Sequence, residues 1–228
     1  MIRVFTGHDP REEVGTWTFM SSVLHHASVP VMFMPLHKPV LSEVFGQTFA
    51  EGTNAFTVAR FLVPALCDFS GRAIFADGAD MVMRRDIAEM ADMFDDRYAV
   101  QVVKHDYVSR HPIKYRGTKM QAANSYYARK NWASLMLLNC SHPAWRDITP
   151  STVAKMPVGD LLQFKFLPDE LIGELPIAWN WLADEYGEHP DAMLCHWTAG
   201  VPGFPAYKDA PMAGVWKRAH DRANHATD

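Results

Sequence analysis

The chain has 228 residues, of which 48% are hydrophobic and 21% charged, with a formal net charge of −4. That composition suits a globular protein with room for a substantial core, and it excludes disordered and fibrous classes and any general affinity for nucleic acid backbones or anionic membranes. Three cysteines, Cys67, Cys140 and Cys195, are odd in number and form no CxxC pair, which argues against a disulfide framework or thiolate zinc site and fits a reducing compartment. MIRVFTGHDP carries too short an apolar run for a secretion signal and no run reaches membrane-spanning length, so a cytoplasmic protein is expected.

In chain order, IRVFTG reads as a first strand leading into a helix over HDPREEVGTWTFMSSVLHHAS. Asp9 can cap it, Pro10 suits the first helical position, and Glu12 falls three residues after the cap. VPVMFMPL is a second strand, and His37 to Asn54 is a loop with room for a short helical turn. TNAFTVARFLVPALCDF has apolar residues at helical spacing, with Pro64 expected to kink or interrupt it. AIFADGADMVM is a third strand, followed by a short helix in RRDIAEMADMF capped at Asp86. YAVQVVKHD and ASLMLLNC continue the alternation, separated by a long polar interval from Tyr107 to Asn131 of the kind that carries function. ITPSTVAKMPVGDLLQF, IGELPIAWNWLADEY and AMLCHWTAG follow, then a Pro/Gly-rich tail over about 205–228. Strands alternating with helices predict one α/β domain over 1–228, a mostly parallel sheet covered by helices.

Asp77 and Asp80, in DGAD, stand at the carboxyl end of the third strand, where open α/β sheets bind ligands. Asp and Gly form turns readily, and Gly78 can take positive φ. Two carboxylates in one crevice also repel unless a cation or proton intervenes, and they are hard ligands suited to Mg²⁺ or Mn²⁺. A turn, a metal site and an acid/base pair all remain open at this point. His196 ends a strand in MLCHWTAG and is the strongest single histidine; His8 ends the first strand and lines the same crevice. The other nine, including His25, His26, His220 and His225, read as surface or helix residues. Asp160 and Gln163 begin a helix that Asp160 can cap. The P-loop, GxGxxG, GxSxG and HExxH patterns are all missing.

The order of these pieces resembles the GT-A fold nucleotide-sugar glycosyltransferases, specifically the retaining, glycogenin- and galactosyltransferase-like enzymes of glycosyltransferase family 8. Four segments carry the likeness: RFLVPAL with GRAIFADGADMVMRRDIAEM, NWASLMLLNCSHP, DLLQF with FLPDELIGELPIAWNW, and CHWTAGVP. Together they cover about residues 2–205. The resemblance implies a single GT-A (Rossmann-like) domain that moves a sugar from a nucleotide diphosphate sugar, a UDP-sugar by likeness, to an acceptor hydroxyl with retention. It implies Mn²⁺ or Mg²⁺ held by Asp80, His196 and Asp77, and Arg60 near the nucleotide and the metal acids. Thr6, Gly7, His8 and Arg11 would form the wall around the base. Asn131, Trp132 and Ser134 match the loop facing donor sugar or acceptor, and Gln163, with Asp160 beside it, matches the sugar's reactive face.

Two positions depart from the family pattern. Gly78 stands where the first acid of a DxD motif belongs, with Asp77 one residue earlier, and Pro202 stands six residues after His196 where relatives carry a diphosphate-binding lysine. Lys208 or an arginine elsewhere would have to substitute. Lys104, Arg110, Lys114, Arg116 and Lys119 make the stretch around HDYVSRHPIKYRGTK basic enough to meet an anionic acceptor, or simply a solvated loop. The partners expected are a nucleotide-sugar donor and a carbohydrate or other hydroxyl-bearing acceptor, and not nucleic acid. A nucleotidyltransferase and a non-catalytic nucleotide- or carbohydrate-binding protein on the same fold are the rival readings.

Overall fold

A computed structural model describes residues 1–224. Strand β1 (Ile2–Gly7) is followed by helix α1 (Glu13–His26), β2 (Val31–Leu36), α2 (Lys38–Phe45) and α3 (Val63–Leu66). Next come β3 (Arg72–Ala76), β4 (Met81–Met83), α4 (Ile87–Ala91), β5 (Val100–Val102) and the short pair β6 (Ile113–Lys114) and β7 (Ala122–Ala123). The chain continues through β8 (Leu135–Asn139), α5 (Pro150–Lys155), α6 (Val158–Leu162), β9 (Ile172–Glu174), β10 (Trp181–Leu182), α7 (Ala183–Tyr186), β11 (Leu194–His196) and α8 (Ala213–Asn224).

The central sheet has six strands in the order β2-β1-β3-β8-β5-β9, with β8 antiparallel to both neighbours and the other pairings parallel. This is the expected mostly parallel sheet flanked by helices. Alternation along the strands divides their side chains between two cores. Phe5, Phe75, Met136 and Leu138 face one, with Phe61, Trp145 and Phe164; Val4, Ile74, Leu135 and Leu137 face the other, with Phe19, Met81 and Leu194. Burial on both faces is why these strands read as unbroken apolar runs. The edge strand β2 tolerates Pro35 because it has a neighbour on one side only.

Several local expectations change. Asp9 does not cap α1: its carboxylate accepts from the backbone N–H groups of Arg11 (3.0 Å) and Ala55 (2.9 Å), and it pairs with the Arg11 guanidinium. That turn holds Pro10 outside the helix, which begins at Glu13. The segment around Pro64 is interrupted, as expected, and not kinked: Pro64 lies in the first turn of α3, after a separate 3₁₀ turn over Ala59–Leu62, where its missing N–H costs nothing. Asp160 lies inside α6, whose cap position is Pro157. Asp86 caps α4 as expected, accepting from Ala88 N–H at 2.9 Å. The third strand is two: β3 belongs to the central sheet and β4 to a second, three-stranded sheet ordered β10-β11-β4. The segment read as tail contains α8, which packs on α1 and buries Trp216 and Ala219. His220 stacks on Trp216, and His225 lies outside the described residues.

Candidate active site

The break between β3 and β4 creates the site. Asp77 follows β3, and its N–H donates to the Ser134 carbonyl at 2.8 Å. The chain then reverses through Gly78 at φ +80, with Ala79 N–H bonded to the Asp77 carbonyl and Met81 N–H to the Gly78 carbonyl, both at 3.0 Å. A Cβ at position 78 would collide with Thr6 Oγ1 beneath the turn, and one at Gly15 would collide with the Ala79 carbonyl, so both glycines allow close approach. DGAD is therefore a turn that also presents two acids.

His196 reaches the same point through strand pairing. β11 runs antiparallel to β4 with His196 opposite Met81, and Trp197 N–H donates to the Asp80 carbonyl at 2.9 Å. His196 Nε2 lies 3.4 Å from Asp80 Oδ2. One ligand atom from each of Asp77, Asp80 and His196 falls within 4.8 Å of the others. Asn180 Nδ2 donates to Ser134 Oγ (2.9 Å), and Ser134 Oγ donates to the Asn131 carbonyl (2.7 Å). This direction turns Asn180 Oδ1 toward His196 Nδ1 at 2.9 Å, so Nδ1 carries the proton and Nε2 faces the acids.

Arg60 anchors Asp77. Its Nη1 lies 2.7 Å from Asp77 Oδ1 and donates to the Ala133 carbonyl at 2.7 Å, its Nε donates to the Thr57 carbonyl, and its guanidinium rests against the Phe56 and Phe75 rings. Burial raises the Asp77 carboxyl to about 6, Arg60 opposing and Asp80 reinforcing the rise. Burial alone would depress His196, but Asp80 and Asp77 outweigh it and the imidazole titrates above its ordinary value.

These groups line an open cleft that Arg60, Asp77, Asp80, Lys114, Asn131 and His196 share with Asn54, Tyr115 and Tyr127. Asp80 Oδ1 is buried with no hydrogen-bond partner. Two carboxylates, one of them with an unmatched oxygen, and an imidazole nitrogen with a directed lone pair form a donor set that fits a divalent cation.

The other sequence candidates are not among the cleft-lining residues. Thr6 underlies the turn, and Gly7 packs against the Phe56 ring. The His8 ring contacts those of His37 and Trp17. Arg11 pairs with Asp9 and donates to the carbonyl of Thr53, which does line the cleft. Trp132 donates from Nε1 to the His105 carbonyl and lies between Lys104 and Arg129. Asp160 pairs with Lys165, and Gln163 Nε2 donates to the Gly159 carbonyl beside the cleft-lining Leu162.

Sequence reasoning missed Glu12, and it placed Lys114 only in a basic stretch able to meet an anionic acceptor. Glu12 is buried, takes a hydrogen bond from Asn54 and leaves Oε2 without a partner. Burial, with Asp80, Asp9 and Asp77 nearby, holds its carboxyl well above the ordinary range. Its match to a capping pattern concealed that position. Asn180 had a visible signal, the WN of the LPIAWNW segment.

The central sheet, mostly parallel and flanked by helices, is that of the GT-A glycosyltransferase fold. The chain superposes on the galactosyltransferase LgtC, solved with donor and acceptor sugar analogs, with a TM-score of 0.61 at 14% identity, covering 100% of this chain and 98% of that one. GlyE of Streptococcus pneumoniae gives 0.63 at 12% identity, covering 100% and 60%, and the bifunctional glycosyltransferase WbbM gives 0.59 at 13%, covering 96% and 49%. The chain thus spans about half of WbbM and 60% of GlyE. No family model matches the sequence. The sequence is 34% identical over 230 residues to Protein CDI of Arabidopsis thaliana, covering 97% of this chain and 87% of that protein, and the chain belongs to the Protein CDI family.

Proposed function

We propose that the chain is a metal-dependent glycosyltransferase that moves a sugar from a nucleotide diphosphate sugar to an acceptor hydroxyl. The observation that carries this reading is the convergence of Asp77, Asp80 and His196 at the strand ends of a fold similar to that of glycosyltransferases. Asp80, His196 and Asp77 would hold Mn²⁺ or Mg²⁺. A divalent ion bound there supplies charge neutralisation to the departing diphosphate. Arg60 fixes the Asp77 carboxylate, and Asn180 fixes the tautomer of His196. Asn131, whose amide donates to Tyr107 at 2.6 Å, lines the cleft where the sugar would develop positive charge, and Gln163 is the second amide by family resemblance. Uracil as the base, the base wall of Thr6, Gly7, His8 and Arg11, a sugar-facing role for Trp132 and Asp160, and retention by attack on the leaving-group face are supported by the family 8 resemblance alone. Among the described residues, no helix is long and apolar enough to cross a membrane.

Calorimetry with UDP, GDP and CMP, with and without Mn²⁺, together with hydrolysis assays on the corresponding sugar donors, tests this reading. Metal-dependent binding and donor turnover lost in Asp80→Ala are expected. Binding indifferent to metal would instead indicate the non-catalytic binding protein, and failure of every nucleotide would refute the proposal.

A further inference from the structure

Resting on that reading, we propose that Lys114 is the diphosphate-binding cation of the cleft. The charged side chains lining the cleft are Asp77, Asp80, Arg60, Lys114 and His196. Arg60 is already committed, to Asp77 and to the carbonyls of Thr57 and Ala133. Lys114 Nζ, by contrast, has no hydrogen-bond or ion-pair partner among the described residues. It is the one lining cation free to meet an incoming anion.

The backbone around Lys114 is fixed, which a binding residue requires. Lys114 pairs with Ala122 across the β6–β7 ribbon. The next residue, Tyr115, is 2% exposed, donates its N–H to the Ala199 carbonyl at 2.7 Å and bonds through its hydroxyl to Asn54. This seam ties the Lys114 ribbon to the loop that follows His196, so the ammonium and the metal-ligand set are held in one frame. Lys208, on the same C-terminal loop, is unsuited to the role: its side chain is 70% exposed, 3.9 Å from Asp209, and it is not among the cleft-lining residues.

Charge counting gives the ligand class. Among the charged side chains that line the cleft, Asp77 and Asp80 formally balance Arg60 and Lys114. A divalent ion on neutral His196 and the two acids therefore leaves a surplus of two positive charges. A pyrophosphate diester carries about two negative charges and matches it; a monoanion would not. Without Lys114 the surplus is halved on the side that no other free lining cation covers.

The test is titration calorimetry on the full chain with MnCl₂ alone and with UDP in saturating MnCl₂, for wild type, Lys114→Met and Lys114→Arg, with thermal unfolding of each. Charge-assisted phosphate contacts of this kind predict that Lys114→Met weakens UDP binding by about tenfold to a hundredfold while Mn²⁺ affinity and Tm stay at wild-type values. Lys114→Arg should recover most of the loss. UDP binding unchanged in Lys114→Met would overturn the assignment and leave the glycosyltransferase reading standing. Parallel loss of Mn²⁺ affinity, or no recovery in the arginine variant, would also overturn it. If wild type binds no UDP, GDP or CMP in MnCl₂, the proposed function falls and Lys114 falls with it.

Discussion

Asp80→Asn changes one charge and almost no shape. Asp80 Oδ1 has no hydrogen-bond partner and Oδ2 meets only His196 at 3.4 Å, so an amide in its place breaks little. At pH 8, above the Asp77 value of about 6, the ligand oxygens of Asp77 and Asp80 lie within 4.8 Å, and at an effective dielectric constant of about 20 two negative charges at that distance repel by about 3.5 kcal/mol. Arg60 and the imidazole absorb part of this, which leaves about 1–2 kcal/mol to be relieved. For a chain of this size that corresponds to a rise in metal-free Tm of about 2–8 °C. The metal response should move the other way. A wild-type protein at a hundred times its Kd for Mn²⁺ gains about 2.7 kcal/mol, and the variant should gain close to nothing. Scanning fluorimetry of EDTA-stripped protein, with and without MnCl₂, measures both effects. An undiminished Mn²⁺ shift in the variant would refute the ligand role. A metal-free Tm several degrees below wild type would show that the Asp80 carboxylate is a structural acceptor instead.

Asn180→Ala removes the group that orients His196 and leaves Ser134 Oγ short of a donor. It should weaken Mn²⁺ binding by about tenfold to a hundredfold in calorimetry, with a stability loss of about 1–3 kcal/mol in urea. Gly78→Ala forces a side chain into positive φ and onto Thr6 Oγ1, and should cost more than about 1 kcal/mol. Adding Thr6→Ala should return part of that loss, and strict additivity in the double-mutant cycle would disprove the clash. Both titrating ligands predict that metal-free stability falls between pH 5 and pH 8. The Asp77 carboxyl, raised to about 6, is protonated without penalty at low pH and becomes a buried charge as pH rises through that value. The raised His196 stabilises the fold while protonated and loses that contribution as pH climbs through its folded value. MnCl₂ should therefore raise Tm at pH 8 and do little at pH 5, and a metal-free Tm that climbs with pH would contradict the electrostatics.

How much was legible follows from which forces act locally. The strands of the central sheet were readable because burial on both faces leaves a run such as ASLMLLNC with no polar interruption. The Asp86 cap was readable because its partner is two residues away. Asp9 carried the same signal and makes the same local contact, to Arg11 N–H, but its second oxygen is held by the Ala55 N–H from a distant segment and the helix starts only at Glu13. Pro64 looked like a defect in one helix because the sequence does not mark where a 3₁₀ turn hands over to an α-helix. The choice between turn and site for DGAD was a false one, since the reversal at Gly78 is what aims both carboxylates. Glu12 and Lys114 could not be found from spacing, because their nearness to Asp80 is created by folding across more than thirty residues in each direction.

The split of the third strand has a mechanical consequence. Asp77 hangs from the six-stranded sheet, whereas Asp80 and His196 belong to the three-stranded one, so whatever sits among them, proton or cation, acts as a rivet between two plates. With the rivet out, like charges push at the joint between the two sheets. Amide exchange in β4 and β11 should therefore slow when a divalent ion binds, while β1 and β8 change little. Ligand affinity in this molecule would then be set partly by how firmly the two sheets are joined before the ligand arrives.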